Sequence, residues 1–312
     1  MKKISIVLTT YNGAQYLTEQ MESIRNQDLP ADEVIIMDDC STDATVQLIE
    51  GYIRAHQLTT WKLIRNESNQ GWMKNFKMGF DLAQGQYIFP CDQDDVWHPD
   101  KCRKMTEEMD ARPEIDLLVS NYRILFSGTD NGSRAYKRNE RRMINDGKVV
   151  ILPLDPKWPY IARPGCTYCF RKRFFDEIKE DWDTTLAHDA ILWRYARMHK
   201  TLAVVQEPLI DFRRHGDNAT TVKTRTREGR IRTFDEHLYF HRIALQECTS
   251  PREKKILEKG IRFLEKRKEM FTERKPLLIA ELALCYGKYY MSVSGIAGDL
   301  YFLLKDKQTI KN

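Results

Sequence analysis

Apolar residues along the chain alternate between short unbroken runs and helically spaced stretches, with polar turns between them. Ile4 to Leu8 is a β-branched and aliphatic run that stops at a turn containing Gly13, and Leu17, Met21 and Ile24 follow at the spacing of a helix face. The pattern repeats. Val34 to Met37 reads as a strand, Asp38 to Asp43 as its turn, and Val46, Ile49 and Ile53 as one side of a helix. In the third round Trp61 to Ile64 is the strand, Asn66 to Gly71 the loop and Met73 to Ala83 the helix, which leads through Gly85 into a strand from Tyr87. Strand-helix alternation with continuous apolar strands predicts an α/β fold, a parallel sheet with helices on both faces. Further along, Ile115 to Phe126 and Gly165 to Arg171 read as strands, Asp189 to His199 as a helix, and Leu202–Val205 and Leu209–Phe212 as two short strands. Ser127 to Gly147 has no period and is expected to be a mobile loop, and a polar loop is expected from Arg213 to about Arg230. The remainder is helical, so residues 1–225 form one expected domain and 226–312 a helical region.

The run from Tyr87 to Cys91 leads directly into Asp92, Asp94 and Asp95, three carboxylates within four positions. Carboxylates crowded at the end of a buried strand repel one another unless a cation or a proton relieves the charge. One reading is an acidic turn capping a helix that begins near His98-Pro99. The other is a divalent site, because hard oxygens on a D-x-D frame suit Mg²⁺ or Mn²⁺. Chain topology favours the second. Ligands of parallel α/β sheets bind beyond the carboxyl ends of the strands, where Asn12, Asp38, Asp39 and Asp92 all converge.

Composition narrows the class. With 42% hydrophobic and 11% aromatic residues in 312, the chain can bury a large core and is not disordered. The net charge of +5 is mild and there is no zinc-finger spacing or aromatic RNA-binding signature, so no nucleic-acid partner is expected. Seven scattered cysteines, an odd number, read as reduced thiols of a cytosolic protein, with Cys166 and Cys169 at alternate positions of a strand. Met1-Lys2-Lys3 precedes an apolar run too short for a signal peptide, and no stretch approaches the length of a membrane span. His237 and His241 lie one helical turn apart, but no acid motif accompanies them and no metal site is expected there.

Four motifs in order carry a resemblance: Thr10-Tyr11-Asn12 after the first strand, Asp38-Asp39-Cys40-Ser41-Thr42-Asp43, Asn69-x-Gly71, and Asp92-Gln93-Asp94-Asp95. Together they resemble glycosyltransferase family 2, with its GT-A Rossmann-like fold, over about Lys3 to Lys101 and as far as about Asn218. Gly71-x-x-Lys74-Asn75-Phe76, with the Trp97 that follows the acidic cluster, is similar to bacterial rhamnosyltransferase-type enzymes of surface polysaccharide synthesis.

The resemblance implies an inverting transfer of a sugar, rhamnose among the candidates, from a dTDP- or UDP-sugar to a saccharide hydroxyl. In that reading Asp39 accepts the N3-H of uracil or thymine, while Thr10 and Asn12 line the base and ribose pocket. Asp92 lies near the ribose and the metal, Asp94 ligates the metal, and Asp95 orients the cluster or caps the next helix. His215 is a third ligand or a diphosphate contact. Asp189 is the general base, with His188 standing where relatives often have Glu. An acceptor carried on a polyprenyl diphosphate is also implied.

Three other functions fit the pattern less well. A sugar-phosphate nucleotidyltransferase would have a Gly-rich, basic loop after the first strand, which Thr9 to Ala14 lacks, and an inactive carbohydrate-binding scaffold would not need the full set of acids. A dinucleotide oxidoreductase would need G-x-G-x-x-G after a strand. In the C-terminal region, Pro276 to Lys305 is more apolar than one solvated helix face requires. It is expected to pack on the rest of the chain or on a second subunit of a homodimer, or to touch the inner face of the cell membrane peripherally.

Overall fold

The computed structural model describes residues 3–126, 133–216 and 226–305. Its first unit comprises Met1–Leu152 with Ile161–Asn218, and its second Pro153–Tyr160 with Ala219–Asn312. In the first unit, β1 (Ile4–Thr10), α1 (Leu17–Arg25), β2 (Glu33–Asp38), α2 (Thr45–Ala55), β3 (Trp61–Arg65), α3 (Trp72–Leu82) and β4 (Tyr87–Cys91) follow the predicted alternation. Then come β5 (Val96–Trp97), α4 (Lys101–Ala111), β6 (Leu117–Phe126), α5 (Ser133–Glu140), β7 (Val149–Ile151), β8 (Tyr168–Arg171), α6 (Lys172–Ile178), α7 (His188–Met198) and β9 (Leu202–Arg214).

The sheet runs β3-β2-β1-β4-β8-β6-β9-β5, with β7 on β9. β3, β2, β1 and β4 are mutually parallel, β8 is antiparallel to both β4 and β6, and β6 is parallel to β9. Side-chain alternation assigns the two faces. Ile4, Ile6 and Leu8 pack with Leu17, Met21, Ile49 and Met105 from α1, α2 and α4. Val7 points the other way, onto α3, where a Cβ on Gly79 would lie 2.4 Å from its methyl group. Only glycine permits that approach of helix to sheet.

Several local expectations change. Ser127 to Gly147 is not an aperiodic loop throughout: residues 127–132 lie outside the described residues, and Ser133–Glu140 is a helix. Leu202–Val205 and Leu209–Phe212 are one strand, whose pairing with β6 shifts register opposite Pro208. A proline lacks the ladder N–H, so the polar Gln206-Glu207-Pro208 stretch reads as a break while the strand continues through an irregularity. β9 also takes in Arg213 and Arg214; of the polar loop expected beyond them, residues 217–225 lie outside the described residues. Gly165–Thr167 is a 3-10 turn before β8, so Cys166 is not on the strand with Cys169. The helix expected near His98-Pro99 starts at Lys101.

The second unit consists of α8 (Arg227–Glu247), α9 (Pro251–Thr272), α10 (Leu278–Tyr286) and α11 (Val293–Lys305) around Phe234, Phe263, Leu264, Met270, Leu282 and Tyr290. Pro153–Tyr160 joins it as a strap. Trp158, fully buried, donates from Nε1 to Nε2 of His241 at 3.2 Å, and Nδ1 of His241 lies 2.8 Å from the carbonyl of His237. His241 is thus engaged at both ring nitrogens. Asp299, also fully buried, accepts from Arg267, Arg230 and Tyr290 at 2.7–3.1 Å.

Candidate functional site

Register brings the predicted residues together. Thr10 lies level with Asp38 and Leu8 with Cys91, so Asp39 and Asp92 leave the sheet at the same edge on either side of β1. The loops there are tied to one another by short polar side chains. Asp38 accepts from Thr10 Oγ1 at 3.1 Å and from the Ser41 backbone N–H and hydroxyl at 2.9 and 2.5 Å. Asn12, in the left-handed region at φ 47°, donates its N–H to Ser41 Oγ and accepts the Thr42 N–H on its side-chain oxygen. Thr10 and Asn12 therefore tie the loop after β1 to the loop after β2 through these bonds.

Asp39 is buried and holds the next loop. Its Oδ1 accepts from Asn66 Nδ2 at 2.8 Å and the Gln70 N–H at 2.7 Å, and its Oδ2 from the Gly71 N–H at 2.8 Å. Gly71 directly precedes α3, so the carboxylate also lies at a helix N-terminus, where negative charge is favoured. With four acceptor sites on a carboxylate, three such bonds leave room for one more donor.

The acidic cluster is crowded. Asp92, Asp95 and Cys166 bring one oxygen or sulfur each within 4.8 Å of one another. Burial first, then the charges of Asp95, Asp94 and Asp189, push Asp92 well above the usual carboxylate range. Asp95 is fully buried and is raised by burial and by Asp94. Its Oδ1 accepts the Arg213 N–H at 2.8 Å, whereas its Oδ2 is buried without a hydrogen-bond partner among the described residues. Burial and the two carboxylates push the Cys166 thiol up, so it stays protonated. An orphaned buried carboxylate oxygen beside the Asp92 carboxylate fits a hard divalent cation, and these oxygens, without the thiol, suit Mg²⁺ or Mn²⁺.

Asp94 and His215 meet elsewhere in the cluster: Nε2 of His215 lies 2.7 Å from Oδ2 of Asp94. The antiparallel pairing of β5 with β9, Val96 opposite Asp211, makes that contact possible. Arg213 reinforces it. Its Nε donates to the Asp94 carbonyl at 2.6 Å, its guanidinium pairs with Glu19 and lies 4.7 Å from the Tyr16 ring centroid, and the Tyr16 and His215 rings are 4.8 Å apart. Gln93 clamps the opposite loop, accepting the Tyr11 N–H at 2.8 Å and donating to its carbonyl at 3.1 Å.

Asp189 occupies the first turn of α7, half-buried and near enough for its charge to act on Asp92. His188 turns inward. It packs 4.0 Å from the Phe76 ring, and neither ring nitrogen has a hydrogen-bond partner among the described residues. Burial depresses its pKa to about 3.

Sequence reasoning gave no part in the site to Cys166, Lys101, Arg213, Tyr16 or Gln93. Lys101 is fully buried, donates to the Cys166 carbonyl at 2.6 Å and stands 3.8 Å from the Trp97 ring centroid. A lysine directly after an acidic turn carries no local mark of burial. Arg213, two residues before the noted His215, was the most accessible of the missed signals, since His215 directly follows the strand that ends in Arg213-Arg214.

The model for Glycosyl transferase family 2 matches residues 5–170, just over half of the chain. Poly(ribitol-phosphate) beta-N-acetylglucosaminyltransferase TarS of Staphylococcus aureus is 31% identical over 121 residues, 38% of this chain and 21% of TarS. The putative teichuronic acid biosynthesis glycosyltransferase TuaG of Bacillus subtilis is 32% identical over 109 residues, 35% of this chain and 42% of TuaG. The match thus spans less than half of either relative's length. Among solved structures, S. aureus TarS 1-349 in complex with UDP-GlcNAc superposes with a TM-score of 0.67 at 16% identity, covering 99% of this chain and 92% of that one. The mannosyltransferase PcManGT of Pyrobaculum calidifontis, in complex with GDP-Man and Mn²⁺, gives 0.59 at 16% identity, covering 100% and 88%. At such identities the superpositions establish the shared fold, a central sheet with helices on both faces. The sequence match over residues 5–170 takes in Thr10, Asn12, Asp39 and the Asp92 cluster, and with it the chain belongs to glycosyltransferase family 2.

Proposed function

We propose that the protein is an inverting glycosyltransferase of surface polysaccharide synthesis. It takes a sugar from a UDP- or dTDP-sugar, with rhamnose and N-acetylglucosamine as the first donors to test, and places it on a saccharide hydroxyl. The acceptor is carried on a polyprenyl diphosphate. The observation that carries the reading is the convergence, at one sheet edge, of Asp39 with an acceptor site to spare and of an acidic cluster with an unsatisfied oxygen.

Asp39 accepts the imide N–H of uracil or thymine, which cytosine lacks. Thr10 and Asn12 hold the loop against the base and ribose. Asp92 and Asp94, with His215, would hold Mg²⁺ or Mn²⁺, and Asp95, anchored through Oδ1 by the Arg213 N–H, would orient the cluster with its unsatisfied Oδ2 beside it. The cation, when bound, offsets the charge that develops on the departing diphosphate. Asp189 takes the proton of the acceptor hydroxyl as its oxygen forms the new bond to the anomeric carbon, and the bond from that carbon to the diphosphate oxygen breaks on the opposite face. The release of UDP or dTDP completes the balance.

A panel of nucleotide sugars, scored by thermal shift with Mn²⁺ and then by hydrolysis without acceptor, tests this reading. Stabilisation by uridine or thymidine diphosphates and not by cytidine diphosphate is expected. Equal response to all three bases would remove the assignment of Asp39.

A further inference from the structure

Among the described residues, the second unit leaves an apolar surface uncovered. α10 buries Leu282 and Tyr286, yet its outer side carries Leu277 and Leu284, 88% and 87% exposed and two turns apart. α11 repeats the arrangement. Asp299 is buried and Ile296, Phe302 and Leu303 pack on the core, while Val293, 83% exposed, is followed outward by Ala297, Leu300 and Tyr301 at helical spacing. Met291, between the helices, is exposed as well. The outer face of a solvated helix is ordinarily polar. Among the described residues, six of the thirteen exposed large apolar side chains fall within Leu277 to Tyr301, and that concentration marks an interaction surface.

Charge identifies the occupant. The acids of this stretch are neutralised within the unit: Glu281 pairs with Lys266 at 3.0 Å, and Asp299 lies beneath Arg267 and Arg230. Arg274 and Lys288, at the two ends of α10, are exposed and have no acidic partner among the described residues. Two copies of this chain meeting through the same face would bring like charges together. Anionic phospholipid headgroups offer the complementary charge, and the acyl boundary beneath them accepts leucine and valine. No described helix is long and apolar enough to cross a membrane, so the contact is with the surface.

We propose that the outer face of α10 and α11 docks on an anionic phospholipid bilayer, with Leu277, Leu284 and Val293 entering the interface and Arg274 and Lys288 at the headgroups. The inference is independent of the donor and acceptor, and its test reads binding without turnover.

The full chain is floated with phosphatidylcholine vesicles with and without phosphatidylglycerol. Phosphatidylglycerol should raise the bound fraction about tenfold at low salt, and about 1 M NaCl should remove the gain. Leu284→Glu/Val293→Glu and, separately, Arg274→Glu/Lys288→Glu should each lower binding about tenfold while leaving the melting temperature unchanged, since all four positions are exposed. Equal recovery with neutral vesicles, or none with anionic vesicles at low salt, overturns the proposal. So does light scattering that shows a dimer which Leu284→Glu/Val293→Glu dissociates, because the face then belongs to a second copy.

Discussion

Nε2 of His215 lies 2.7 Å from Oδ2 of Asp94, although 121 residues separate them in the chain. The pair joins the end of β9 to the turn after β4, so the acidic cluster is complete only when both halves of the sheet are formed. Asp94→Ala should abolish the Mn²⁺-dependent part of the thermal shift produced by UDP, and His215→Ala should weaken UDP binding about tenfold, in keeping with the loss of one contact at the cation site. Excess chelator should act on the wild type as Asp94→Ala does. A full shift in chelator would remove the divalent site.

Asp189→Asn should keep donor affinity and reduce transfer by about two orders of magnitude or more, because the amide cannot take the hydroxyl proton. Titration calorimetry with the nucleotide sugar and initial rates with a genuine acceptor separate the two effects. Normal turnover would move the base elsewhere.

His188 sets a pH dependence of stability. Its imidazole is neutral in the folded chain, with a pKa near 3, whereas in the unfolded chain it titrates at about 6.5. Between these values only the unfolded state binds the proton, so stability is full above about pH 6.5 and falls as pH drops toward 3, by at most about 1.4 kcal/mol per pH unit. Urea midpoints at a series of pH values should slope more steeply for the wild type than for His188→Gln. Identical slopes would mean that the unfolded chain gains no proton at this position.

Gly165 makes room for that histidine. A Cβ there would stand 2.2 Å from Nε2 of His188, and Phe76 packed on the ring prevents retreat. Gly165→Ala should cost about 1–3 kcal/mol, and adding His188→Ala should cost less than the sum of the two single changes. Additive losses in denaturant melts would show that the two residues do not compete for space.

Asp299→Ala should destabilise the chain by about 3–5 kcal/mol, since it strands Arg267, buried among aromatic rings with its guanidinium 4.4 Å from the Phe234 centroid. Calorimetry should place the loss in the transition of the helical unit. A change below about 1 kcal/mol would indicate that water reaches Arg267.

The alternation of β1 to β4 with α1 to α3 was legible because a strand or helix that buries one side must repeat its apolar residues at that element's own period. Parallel connectivity follows from chain order, and it carries Asp39 and Asp92 to one edge without any knowledge of side-chain packing. Contacts made across the sheet left no such trace. Cys166 reaches Asp92 and Asp95 because β8 inserts antiparallel between β4 and β6, and Arg213 reaches Asp94 because β9 continues past Pro208 to pair with β5. Cys166 has no neighbour in sequence that marks it as part of an acidic site, and Arg213 has only His215, two positions on. His188 looked like a variant of a catalytic pair, and the turn of α7 that leaves Asp189 half-exposed drives the imidazole into Phe76. Trp158 joined the helical unit in the same unannounced way, through one indole bond to His241. Periodicity reports which side of an element is buried. The partner that covers it is decided by register and long-range pairing, which depend on the whole chain at once.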